Sequence, residues 1–163
     1  MPTVSNTSPI SNLACIGRLD LIREQFTEVW VPSRVELELG NVPDPVARKS
    51  IEEAKRAGWL KTKHASDSNL ISLLMMELHS GEAEAIALAV EFKADRLLID
   101  EKEGRAMARQ LGLKLTGVLG ILLRAKRSKR IAAIKPEIDA LRTKAHFFIS
   151  PTLEAAVLKN ASE

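Results

Sequence analysis

The chain has 163 residues, 45% hydrophobic and 28% charged, which excludes a disordered chain and suits one domain large enough to bury a core. Its lone Cys15 excludes an internal disulfide framework, no run reaches the length of a membrane span, and Met1-Pro2-Thr3-Val4 lacks a basic-then-apolar leader, so a cytoplasmic protein is expected. The net charge of +3 is uneven: residues 1–100 carry 11 Lys/Arg against 15 Asp/Glu, whereas residues 101–163 carry 13 against 6. An acidic part beside a basic part suits a metal site next to a phosphate-binding surface, or only a solvated basic helix face.

Thr3-Val4-Ser5 reads as the end of a buried first strand. A helix follows, with Ser8 as its cap and Pro9 at its first position, where a missing N–H costs nothing. Leu19 to Ile22 opens a second helix. Val29-Trp30-Val31 is a short strand stopped by Pro32, and Ser33 to Leu39 a helix ending at Gly40. Pro43 to Ala57 is amphipathic and ends at Gly58, and Trp59 to Thr62 suits an edge strand. Helices are expected over Leu70–His79 and Gly81–Phe92, with Leu73, Leu74, Met75 and Met76 in the core or on a dimer face. The wholly apolar Leu97-Leu98-Ile99 marks a central parallel strand covered on both faces. Lys102 to Leu111 is helical and ends at Gly112. Lys114-Leu115 is a brief strand. Helices over Gly117–Lys126, Pro136–Lys144 and Leu153–Leu158 complete the chain. Strands alternating with helices predict a three-layer α/β domain with a short, mostly parallel sheet. Residues 1–150 would form it, and 151–163 a helical tail.

Open α/β sheets bind ligands beyond the carboxyl ends of their strands. Asn6 follows the first strand. Asp100 follows Leu97-Leu98-Ile99, with Glu101 beside it and Glu103 just into the next helix; a helix cap or first-turn acid is the plain alternative for Asp100 and more so for Glu103. Glu82 stacks with Ala85, Ile86 and Ala89 on a helix, so its carboxylate ends an apolar stripe and invites a partner. Glu84 lies on the opposite face, against Ala87 and Leu88. Glu38, late in its helix, is undistinguished by itself. Carboxylates without Cys or His ligands favour a hard cation such as Mg²⁺ or Mn²⁺, the ions that serve phosphodiester hydrolysis.

Several segments together resemble PIN-domain proteins of the VapC-related toxin group. They are Ser5-Asn6-Thr7-Ser8-Pro9-Ile10 with Gly17-Arg18-Leu19-Asp20-Leu21, then Val31 to Leu39, Gly81 to Ala89, Leu97 to Glu101 with Arg105 and Ala108, and Gly117 to Leu122 with Ala125-Lys126. The resemblance runs from Val4 to about Phe148. It implies a metal-dependent ribonuclease fold, the toxin of a toxin–antitoxin pair with a cognate antitoxin, and a homodimer. Its site would comprise Asn6, Glu38, Glu82 and Asp100, with Glu101 a rival for the last place and Thr7 a supporting hydroxyl. The family carries Asp where this chain has Asn6, so the resemblance also admits a module that binds RNA or a protein without cutting. A plain dimerising domain whose acids are only caps is a third reading.

Arg105 and the run Arg124, Lys126, Arg127, Lys129 and Arg130 could grip RNA phosphates. The run could also meet an acidic antitoxin, or simply complement a helix C-terminus. His64, His79 and His146 lack metal-ligand spacing. Gly117 and Gly120 lack a Walker lysine and suggest close packing instead. With no Tyr, two Trp and four Phe, little is expected from base stacking.

Overall fold

The computed structural model describes residues 2–163. In chain order the elements are β1 (Thr3–Ser5), α1 (Thr7–Cys15), α2 (Asp20–Phe26), β2 (Val29–Val31), α3 (Ser33–Gly40), α4 (Pro45–Arg56), β3 (Leu60–Thr62), α5 (Ser68–Leu74), α6 (Ser80–Glu91), β4 (Arg96–Leu98), α7 (Lys102–Gln110), β5 (Leu115–Thr116), α8 (Val118–Arg127), α9 (Lys135–Lys144) and α10 (Pro151–Asn160). The five strands are all parallel, in the order β3-β2-β1-β4-β5. The chain winds outward from β1 to β3, then crosses to the other side of β1. The crevice between β1 and β4 is therefore a topological switch point, where α/β sheets take their ligands.

Alternation along the strands divides the core into two layers. Leu98, Val29 and Val31 face α1, α4, α8 and α9, and Val4, Leu97 and Ile99 face α5, α6 and α7. Burial on both faces is why β4 runs on through the apolar Leu97-Leu98-Ile99, while the central β1 buries Thr3 and Ser5 beside Val4. Gly58 and Gly112 end α4 and α7 at φ of 81° and 77°, a conformation that suits glycine. Asp44 caps α4, its side chain accepting from the Val46 N–H at 3.0 Å.

Two local expectations need correction. First, α1 starts at Thr7, with Asn6 rather than Ser8 in the capping position and no side-chain capping bond. Pro9 is then the third helical residue, still among the first four whose N–H groups have no partner within the helix. Second, α5 ends at Leu74 rather than reaching His79. Of the two readings of Leu73 to Met76, Leu74 takes the core, while Leu73, Met75 and Met76 are exposed and lie outside it. Among the described residues no helix is long and apolar enough to cross a membrane.

Candidate metal-binding site

Everything at the switch point follows from what ends β1 and β4. The Asn6 N–H bonds the Leu98 carbonyl at 2.9 Å, which continues the ladder one residue past the strands. The chain then turns into α1, and Asn6, only 3% exposed, is left under its N-terminus. Its amide nitrogen donates to Glu101 Oε2 at 3.0 Å, and its amide oxygen, also buried, meets no donor. The next two residues supply hydroxyls: Thr7 donates to Glu38 and Ser8 to Glu101.

Each acid sits at or against a helix N-terminus, where the peptide dipoles favour negative charge. Glu101 stands in the capping position of α7, without a side-chain capping bond, and Glu82 lies in the first turn of α6. Asp100 Oδ1 accepts the Val118 N–H of α8 at 2.9 Å. Burial, then the neighbouring Glu101 carboxylate, pushes the Asp100 carboxyl up to about 6, against the lowering pull of the Val118 N–H and of Arg105. Asp100 Oδ2 is buried with no partner. Glu82 also stands above the ordinary glutamate range, through burial and then repulsion from Glu101, Glu103 and Glu38, with His79 acting the other way.

Three glycines make room for these carboxylates. A Cβ at Gly81 would lie 2.6 Å from Glu38 Oε1, one at Gly117 would lie 2.6 Å from Asp100 Oδ1, and one at Gly104 would lie 3.1 Å from Glu82 Oε2. Gly81 therefore explains how Glu38 reaches the group: α3 packs across the start of α6, where no side chain blocks it. The sequence reading of Gly117 and Gly120 as close packing fits the distances, for a Cβ at Gly120 would meet Thr116 Cγ2 at 3.2 Å.

Asn6, Thr7, Glu38, Glu82 and Glu101 are thus linked by hydrogen bonds and mutual charge, whereas Asp100 joins them only through the charge of Glu101 and otherwise faces Val118 and Arg105. Glu103 is exposed, and Glu84 instead accepts the Arg34 N–H of α3 at 3.2 Å. Sequence reasoning missed Ser8 as a partner of Glu101, although its place two residues after Asn6 was a signal. As placed, no three His, Cys, Asp or Glu side chains among the described residues converge closely enough to share an ion. The chemistry nevertheless fits a hard divalent cation. The donors are all oxygen, two buried oxygens lack partners, and the Glu82 carboxyl is raised by the neighbouring Glu101, Glu103 and Glu38 charges.

The basic residues are partly occupied. Arg105 Nη1 donates to the Ile99 carbonyl at 2.8 Å, beside Asp100. Lys126 pairs with Glu163 at 2.8 Å, Arg127 donates to Asn160 at 2.6 Å, and Arg130 pairs with Glu24. The Arg124 and Lys129 side chains have no such partner among the described residues. His64, His79 and His146 are all on the surface.

No curated protein is similar enough to the chain to be matched. The family model described as PIN domain matches residues 2–163, nearly the full length, and the parallel α/β sheet with acids at its switch point agrees with it. The chain belongs to the PIN-domain family.

Proposed function

We propose that this protein is a Mg²⁺- or Mn²⁺-dependent endoribonuclease, the toxin of a toxin–antitoxin pair, working in the cytoplasm. The observation that carries the reading is the partnerless buried oxygen of Asn6 beside Glu101, with a second, Asp100 Oδ2, on a carboxyl that also feels the Glu101 charge. Buried acceptors without donors cost about 1–3 kcal/mol each, and a cation offsets that cost. A bound divalent ion would supply Lewis acidity toward a phosphoryl oxygen. Glu38, Glu82 and Asp100 would hold it, with Asn6 as a neutral ligand and Glu101 as an alternative to Asp100. Thr7 and Ser8 orient two of these carboxylates. Arg105 with Arg124, Lys126, Arg127, Lys129 and Arg130 would contact RNA phosphates. The exposed Leu73, Met75 and Met76 support a homodimer face, and the basic run suits an acidic antitoxin.

A second reading, a PIN module that binds without cutting, is favoured by Asn6, whose amide brings one charge fewer than the family's Asp. Calorimetry with Mn²⁺ on the wild type, Asn6→Asp and Asp100→Asn separates the two. Binding by the wild type that Asp100→Asn abolishes, with RNA cleavage sensitive to EDTA, is the expected result. Binding by Asn6→Asp alone hands the case to the non-cutting module.

A further inference from the structure

Two arginines stand beside acids of the site, and they are held differently. Arg105, next to Asp100, is half-buried and fixed on the Ile99 carbonyl at 2.8 Å. Arg34 stands one turn before Glu38 on α3, and its Nε lies 3.6 Å from Glu38 Oε1. The other Glu38 oxygen accepts the Thr7 hydroxyl, and Gly81 leaves open the space beside Oε1. The Arg34 backbone is tied down, its N–H donating to Glu84 of α6 at 3.2 Å. Its guanidinium is loose: among the described residues it makes no hydrogen bond, and the side chain is 50% exposed.

The place of Arg34 runs against helix electrostatics. It is the second residue of α3, in the first turn, where the peptide dipoles disfavour a cation. Its order with Glu38 is the weaker one for an i,i+4 pair, which prefers the acid on the N-terminal side. A contact of this length between half-exposed groups also adds little to stability. What the position does offer is the Glu38 carboxylate, one of the charges that push Glu82 up.

We propose that Arg34 is a stand-in cation that turns into a catalytic residue: it neutralises Glu38 in the metal-free protein and, when that carboxylate is taken up by a divalent ion, its guanidinium moves to the scissile phosphate. The proposal rests on the nuclease reading of the site and deepens it by one residue. A guanidinium and a divalent ion compete for Glu38, because both are drawn to one carboxylate and repel each other. Once displaced, Arg34 has five N–H donors to offer, and no other carboxylate pairs with it among the described residues. In phosphodiester hydrolysis a water oxygen bonds to phosphorus, one P–O ester bond breaks, and the leaving oxygen takes up the proton that the water gives away. The charge on the phosphoryl oxygens has to be met during that exchange, and a planar guanidinium binds two of them at once. Arg105, fixed to the backbone beside Asp100, is not free to make such a move.

The test is a pair of measurements whose signs oppose. In calorimetry with Mn²⁺ and no RNA, Arg34→Met should bind about 1.5- to 5-fold tighter than wild type, the worth of a half-exposed ion pair, and the gain should fade at high salt. With Mn²⁺ saturating both proteins, cleavage of a mixed-sequence RNA oligonucleotide by Arg34→Met should fall about 10²-fold in kcat, with KM little changed. Arg34→Lys should return the Mn²⁺ affinity to the wild-type value but only part of the rate, because an ammonium lacks the planar fork. Arg34 is half exposed, so the melting temperature serves as the folding control. The proposal is overturned if Arg34→Met binds Mn²⁺ no tighter than wild type, or if it cuts at the wild-type rate; either result leaves the nuclease in place. A wild type that cuts no RNA with Mn²⁺ present removes the nuclease reading itself, and the proposal with it.

Discussion

At the scale of single residues, the glycines behind the carboxylates separate function from stability. Gly81 faces the far end of the flexible Glu38 side chain, so Ala there can be accommodated if Glu38 swings away. Gly81→Ala should therefore keep or raise stability by about 0.5–1 kcal/mol, the helix preference of Ala over Gly, while weakening Mn²⁺ binding. Gly104 faces Ile99 Cδ1 at 2.7 Å within the packed core. Gly104→Ala should cost about 1–3 kcal/mol through overpacking. Urea melts of the two variants check the contrast, and equal losses would contradict it. Asp100 offers a second residue-scale measurement. Its folded carboxyl, near 6, lies above its ordinary 3.8, so the fold holds this proton more tightly than the unfolded chain does. Its contribution is fully present below about 3.8 and is lost as pH rises through about 6. At pH 7.5 Asp100→Asn should thus be more stable than wild type by about 1–3 kcal/mol, a gap that closes as the pH falls to 4. A gap independent of pH would remove this account.

At the scale of elements, the C-terminal helix is tied down by charge. Glu154 of α10 meets Lys135 at 2.7 Å and also pairs with Arg142, both on α9, and Glu163 meets Lys126 of α8 while accepting the Ile134 and Lys135 N–H groups at the start of α9. The hydrogen bonds to Arg142 and to Lys126 lead in holding the Glu154 and Glu163 carboxyls down at about 2. Depressed carboxylates stabilise above their ordinary value near 4.5, and that stability drains away as the pH falls toward 2. Between pH 5 and 3 the urea midpoint of the wild type should fall more than that of Lys126→Met/Arg142→Met. Parallel curves would show that these pairs contribute nothing. The same contacts mark a limit of the sequence. The helices were legible from their periods and caps, and the strands from apolar runs. That Glu163, Asn160 and Glu24 would engage the basic run depended on docking between distant segments, which local pattern does not encode.

At the scale of the whole molecule, the three-layer parallel architecture was legible because βα alternation has few solutions. Asn6 and Asp100 could be placed because each lies within two residues of the end of a strand. Glu38 could not, since it comes from mid-helix and arrives only through the packing of α3 on Gly81. The strand order carries one more consequence. β1 lies in the middle of the sheet, yet its second neighbour is 96–98, beyond the midpoint of the chain. Chains emerge from the ribosome N-terminus first, and non-local parallel pairing is slow. The two ends of the reactive pocket thus meet only after most of the polypeptide has been made, so a nascent or truncated copy stopping before β4 carries half a site and an open sheet edge.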